Sequence, residues 1–370
     1  LGKEEKTTLG AMSIQTAAAG GDPSTNFSTF SVRQDVGDQS VIGAMTTNKI
    51  TDGRWHSTTG VNGRYSTANF IGKSNLDVGG AFIQSYNTDE GYESDAMAYR
   101  AFVSLPNDFL QIFASTQRSP SAFNPEVGLM RRRNFQESFG QVFFQPRPKN
   151  NFQWIRQFYF SPGALTYVQF DDTRELQSLS YKVRVLGFET RSGEGFYFDV
   201  ERVAEGLRED FEIFPDVVIA QGEYWWNRYN FFFETFEARA FSLSTTGSFG
   251  EFFGGNSFST SSTVLWRATK NFNINANYEK NIINLPQGSF DTDLFGSRIE
   301  YAFHPQAFGS LLGQWNSAQQ EMNMNFRLQL IPKIGTDFFL IYNQIVDTRS
   351  GEFDSQRRTL LAKLVWRFVL

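Results

Sequence analysis

The sequence has no cysteine and only two histidines, His56 and His304. Without cysteine there is no disulfide framework and no thiolate metal site, and imidazole chemistry is confined to two places. No apolar run approaches the roughly 18 residues that a membrane-spanning helix needs, and helical periodicity is almost absent. No signal peptide is visible, since the chain opens Leu1-Gly2-Lys3-Glu4-Glu5-Lys6, so it reads as mature, processed or a fragment. A basic excess is missing too: the 370 residues carry a net charge of −5, which argues against a nucleic-acid partner.

What the chain has in excess is phenylalanine, 40 residues within an aromatic content of 16%. The apolar residues recur at every second position, as they do on strands with one apolar face. Met322, Met324, Phe326, Leu328 and Leu330 alternate with Glu321, Asn323, Asn325, Arg327 and Gln329. In the final stretch Leu360, Ala362, Leu364, Trp366, Phe368 and Leu370 share one face, with Lys363 and Arg367 on the other. Segments of this kind are about 10–13 residues long, the length with which a tilted strand crosses a bilayer, and they number about 20. The connections between them alternate between short turns and longer loops.

This pattern predicts an all-β fold, a transmembrane antiparallel up-and-down β-barrel of about 20 strands with short periplasmic turns and longer external loops. It makes residues 1–370 one domain, in contact with lipid in the outer membrane of a Gram-negative bacterium. Soluble sandwiches and propellers also alternate, but no repeat of about 40 residues is present. The polar faces are dense in Asn, Arg and Glu throughout. Residues 151–160 are expected as a strand, followed by a loop to 175 in which 164–170 is either a short strand or part of the loop. The last strand is expected to pair with 7–18 and so remove both edges.

Several stretches carry a family resemblance. They are Phe123-Asn124-Pro125-Glu126-Val127-Gly128 with Arg131, Arg132 and Arg133; Leu285-Pro286-Gln287-Gly288-Ser289-Phe290; Ser297-Arg298-Ile299-Glu300-Tyr301-Ala302-Phe303; Gln314-Trp315-Asn316-Ser317; and Asn325-Phe326-Arg327-Leu328. In order and spacing the chain resembles the C-terminal barrel of a Gram-negative outer-membrane family. Fuller members carry an N-terminal sandwich similar to family-nine carbohydrate-binding modules. The resemblance implies location and fold and brings no activity with it. The sandwich is not in this sequence, and Leu1-Gly2-Lys3 resembles a turn that follows an earlier strand, so an upstream strand or domain is expected.

His304 lies in Phe303-His304-Pro305-Gln306, a turn. His56 follows Arg54-Trp55 near the external rim, where Trp55 suits an aromatic girdle. Neither is placed with a nucleophile and an orienting group, so no catalytic residue, cofactor or metal site is assigned. Asp171-Asp172, Glu209-Asp210 and Asp291 with Asp293 read as solvated rim acids.

The loop 118–133 is the strongest candidate, as a lumen constriction or a docking surface, with Asn124, Pro125, Glu126, Gly128, Arg131, Arg132 and Arg133 as its residues. Folded inward, it is expected to pair Glu126 with one of the arginines. The loop 205–222 mixes charge with apolar residues that must pack on the barrel mouth or on a partner, and Trp225 and Trp226 after it fit a girdle. The candidate lumen residues are Arg184, Arg228, Glu279, Arg298, Glu300, Arg327, Lys363 and Arg367. Two functions fit. One is a pore or gated conduit for a polar solute, with an oligosaccharide as one candidate. The other is a plugged barrel that scaffolds other outer-membrane proteins.

Overall fold

The computed structural model describes residues 2–88, 96–130, 132–333, 335–349 and 354–366. Arg131, Arg367 and the chain's last three residues lie outside them. Among the described residues the secondary structure is all strand and turn. One antiparallel sheet holds 22 strands. Two of these are short, Gly2–Glu4 and Ile155–Phe158; the other twenty run from 10 to 17 residues. Each long strand pairs with its neighbours in sequence, so the chain winds up and down as a β-barrel wall.

Alternation decides which side chains meet lipid. Phe30, Phe82, Phe249, Phe258, Phe295, Phe326 and Leu364 are all exposed on the outer face. Neighbouring strands stack their rings there: Tyr229 and Phe249 have centroids 5.3 Å apart. An exposed apolar belt of this extent is unstable in water and natural in a bilayer. Trp55 fits the girdle, exposed and packed edge-on to Tyr86 at 5.7 Å.

The connections sort by end. Turns at 37–39, 71–73 and 305–306 close one end, and the long connections 120–134 and 208–221 stand at the other. Several turns at the outer end are tight as well, such as 52–53 and 286–287.

Two strand expectations are corrected. The segment expected at 151–160 is only the stub Ile155–Phe158, and of the two readings open for 164–170 the strand is found, running longer than expected over Phe160–Phe170. Pro162-Gly163 interrupts the alternation, and the sheet shifts register between Phe160 and Gly163. The last strand, Asp354–Trp366, pairs with Thr336–Asp347 on one side. Its expected pairing with Thr7–Thr16 is not found among the described residues. Gly2–Glu4 pairs instead with Thr7–Leu9 of that strand and takes up that part of its edge.

Candidate functional site

The inner face is built by register. On Leu176–Thr190, Gly195–Leu207 and Gly222–Glu234, alternation turns Ser180, Lys182 and Arg184, then Asp199 and Glu201, then Arg228 and Asn230 to the inside. The pairing sets Arg184 opposite Asp199 and Glu201 between Lys182 and Arg228. Arg184 binds Asp199 through two hydrogen bonds, 2.8 and 3.0 Å. Its guanidinium also lies 3.9 Å from the Tyr197 ring centre and 5.4 Å from that of Phe143.

Glu201 is 2% exposed. It accepts hydrogen bonds from Arg228 at 3.0 and 3.1 Å, Asn230 at 2.8 Å and Ser180 at 2.6 Å, with Lys182 at 4.0 Å. Both buried carboxylates are thus met by a cation, Asp199 by the two-pronged Arg184 and Glu201 by Arg228 with Asn230 and Ser180 besides, which makes burial of the charge tolerable. Beside this network a lumenal groove of about 630 Å³ is walled by Gln141, Tyr197, Asn230, Ser259, Glu279 and Asn281, among others. Arg184 and Arg228 therefore sit in one network with Glu279 close by. Asp199 was missing from the sequence-derived lumen set; its role depends on lying opposite Arg184, which needs the register.

The remaining lumen candidates fall on other strands. Arg298 and Glu300 lie 3.8 Å apart, both half-exposed. Arg327 lies over the Phe339 ring at 4.6 Å, and Lys363 is exposed. Arg367 is outside the described residues.

The candidate loop folds inward over the mouth. Asn124 donates its backbone N–H to Ser85 Oγ at 3.0 Å, and its side-chain amide to Glu126 at 2.8 Å. Phe123 is buried. Glu126 does pair with a cation, but the partner is Lys49 of the strand Ser40–Thr51, at 3.0 Å, rather than an arginine of its own loop. His56 Nδ1 is 3.9 Å from the same carboxylate. The hydrogen bond and charge of Lys49 hold the Glu126 carboxyl below its usual pKa.

The arginines brace the loop instead. Arg133 donates to Asn124, and Arg132 donates to Gln177 at 2.9 Å. Gly128 has a φ of 150°, a conformation that suits glycine. Pro125 belongs to the turn in which the Glu126 N–H reaches Asn124 O at 3.2 Å. Arg131 lies outside the described residues. At the foot of the loop, Arg118 grips Asp171 with two bonds of 2.7 Å.

A second closure comes from 208–221, which forms a hairpin of Phe211–Phe214 and Val217–Ile219. Ile213, Phe214, Val217 and Ile219 pack on the barrel's own mouth, while Phe211 and Val218 are exposed. Val217 and Ile219 join Val203, Trp226, Phe253 and Leu285 in a buried cluster, and Phe214 stacks on Phe290 at 4.3 Å. The girdle reading of Trp226 is corrected: Trp225 is exposed, and its neighbour points inward beneath the hairpin, 4% exposed. Consecutive strand residues cannot both face lipid. Ile219 is fully buried, so Ile219→Asp should release the hairpin, at a cost of about 2–3 kcal/mol in lost apolar burial alone. Faster proteolysis within 208–221, with the barrel intact, is the expected readout.

The acids expected as solvated differ among themselves: Asp171 is buried against Arg118, while Asp172 and Asp293 are more exposed and ion-paired. Arg208 bonds Asp172 at 2.8 Å and holds its carboxyl far below the usual range, while Lys280 bonds Asp293 at 2.8 Å. Among the described residues no group of three or more His, Asp or Glu is arranged to hold a metal ion.

No family profile matches the chain, and no curated protein sequence does. Solved structures do. Two variants of the ferric enterobactin receptor PfeA from Pseudomonas aeruginosa superpose with TM-scores of 0.51 and 0.50, both at 9% identity. The alignments cover 100% and 99% of this chain, and the chain spans 66% of each receptor's length. At that identity the likeness speaks for the fold. With the apolar belt, it makes the chain a transmembrane β-barrel of the kind seen in those receptors.

Proposed function

We propose that the protein is a gated conduit in the outer membrane of a Gram-negative bacterium that carries a polar solute and performs no catalysis. The observation that supports this most is the inward docking of two loops above a hydrophilic inner wall. One is tied by Glu126 to Lys49 and the other is seated on Trp226 and Phe290. A wall rich in Asn, Ser and Thr with aromatic faces nearby suits a hydroxylated solute, and the family resemblance, with its carbohydrate-binding sandwich, favours an oligosaccharide.

Purified protein in planar bilayers tests the reading. Discrete openings that an oligosaccharide blocks from one side are expected. The burial of the hairpin supports a second reading, a permanently plugged barrel that scaffolds other outer-membrane proteins. Silence in the bilayer, with a stoichiometric partner retained through purification, would replace the first reading with the second.

A further inference from the structure

The inner face treats its cations in two ways. On the strands from Leu176 to Glu234, Arg184 and Arg228 each bind a buried carboxylate. Further round the wall, on Gly288–His304, Glu321–Lys333 and Asp354–Trp366, the inward cations include Arg298, Arg327 and Lys363, and Arg357 of the last strand also reaches the lumen beside Asn323 and Asn343. Arg327 contacts Phe339 and Gln329, with no carboxylate in ion-pair reach among the described residues. Lys363 likewise has no carboxylate partner there. Arg298 is held only by half-exposed Glu300, a contact worth little in water. Asp337, the other acid near these levels, accepts a hydrogen bond from Gln329 at 3.0 Å.

Register orders the three cations. Arg298 faces Leu312, which faces Asn325 and then Asn343. Arg327 stands one inward position lower, facing Ser310 and Ile341. Lys363 stands one lower again, facing Phe339 and through it Gln329. Each step crosses two strands and descends two residues toward the periplasmic turns. From strand spacing and rise, successive cations are about 12 Å apart. The upper part of this diagonal borders a groove of about 370 Å³ with Asn273, Ser310 and Gln329 in its walls. Cations at a regular interval, two of them without a carboxylate partner among the described residues and one facing only the half-exposed Glu300, suit a ligand whose charge also repeats.

We propose that Arg298, Arg327 and Lys363 form a binding track for a linear solute bearing several carboxylate or phosphate groups. This rests on the conduit reading for its role, since it names the class of solute, but the track's affinity is measurable without transport. The longer the solute, the more cations it touches at once, so affinity rises with length.

Isothermal titration of the whole chain in detergent micelles tests this, with hexagalacturonate, maltohexaose and a linear polyphosphate as probes. Hexagalacturonate, the polyphosphate or both should bind, more weakly as salt rises, and maltohexaose at least tenfold more weakly than the tighter of the two, on the order expected for charge-assisted bonds. Whichever anion binds more tightly identifies carboxylate or phosphate as the group. For that anion, R327Q with K363Q should weaken binding about tenfold or more, while R327K stays within about threefold.

Equal binding of maltohexaose, or unchanged anion binding by the double variant, would overturn the track. Binding in micelles without channels in bilayers keeps the track and removes the conduit. Channels with no anion binding do the opposite.

Discussion

Deleting residues 121–130 should raise single-channel conductance several-fold, because it removes a segment that lies across the mouth of a barrel wide enough for an aqueous channel. The tie is specific. Glu126 reaches Lys49 and Asn124 anchors on Ser85, residues of two other strands. Glu126→Gln should therefore act in the same direction with a smaller effect, seen as more frequent brief openings.

Acid should mimic it, and the sign follows from the depressed carboxyl. A carboxylate whose pKa is lowered in the closed state favours that state at neutral pH and loses this only as pH falls through the lowered value. Conductance should thus rise as pH falls below the usual carboxylate range. An intact barrel of the deletion variant with unchanged conductance would remove the loop as a constriction.

The largest effect on the stability of the barrel wall is expected at Glu201. Replacing it by Ala leaves the guanidinium of Arg228 without its carboxylate and strands Asn230 and Ser180, which also donate to it. Arg228 keeps about a third of its surface in contact with solvent, so the loss is about 1–3 kcal/mol, the cost of leaving its donors and those of Asn230 and Ser180 without an acceptor. The urea midpoint of the barrel in lipid vesicles should fall accordingly. Glu201→Leu with Arg228→Met should recover much of the loss, since an apolar pair of similar volume is often as stable as a buried ion pair. A double variant as unstable as the single one would show that Glu201 acts through Ser180 and Asn230 rather than through the ion pair.

The wall was legible in the sequence because alternation is a local signal. Phe326 faces lipid and Arg327 faces the lumen, as their neighbours two residues away imply. The signal failed where a residue breaks the period. Pro162-Gly163 left the strand Phe160–Phe170 legible only from 164 on and only as one of two readings, and the tandem tryptophans were read as one feature although a strand must turn them opposite ways. The mouth was only half legible. The composition of 118–133 and 205–222 marked both as more than connectors, and Ile213, Phe214, Val217 and Ile219 of the second do pack on the mouth. The partners of the first were out of reach, since Lys49 lies 77 residues from Glu126 and nothing near either one marks the other. Asp199 was missed for the same reason, because its importance comes from the strand beside it.

The mouth has two closures held by different forces, and this separates their responses to conditions. The loop bearing Glu126 is held by charge and hydrogen bonds, so salt loosens it. The hairpin bearing Ile219 is held by apolar contact, which weakens on cooling and is strengthened by excluded salts such as sulfate. A cell that moves from fresh to saline water, or from warm to cold, would slacken one closure at a time, so the mouth responds separately to ionic strength and to temperature.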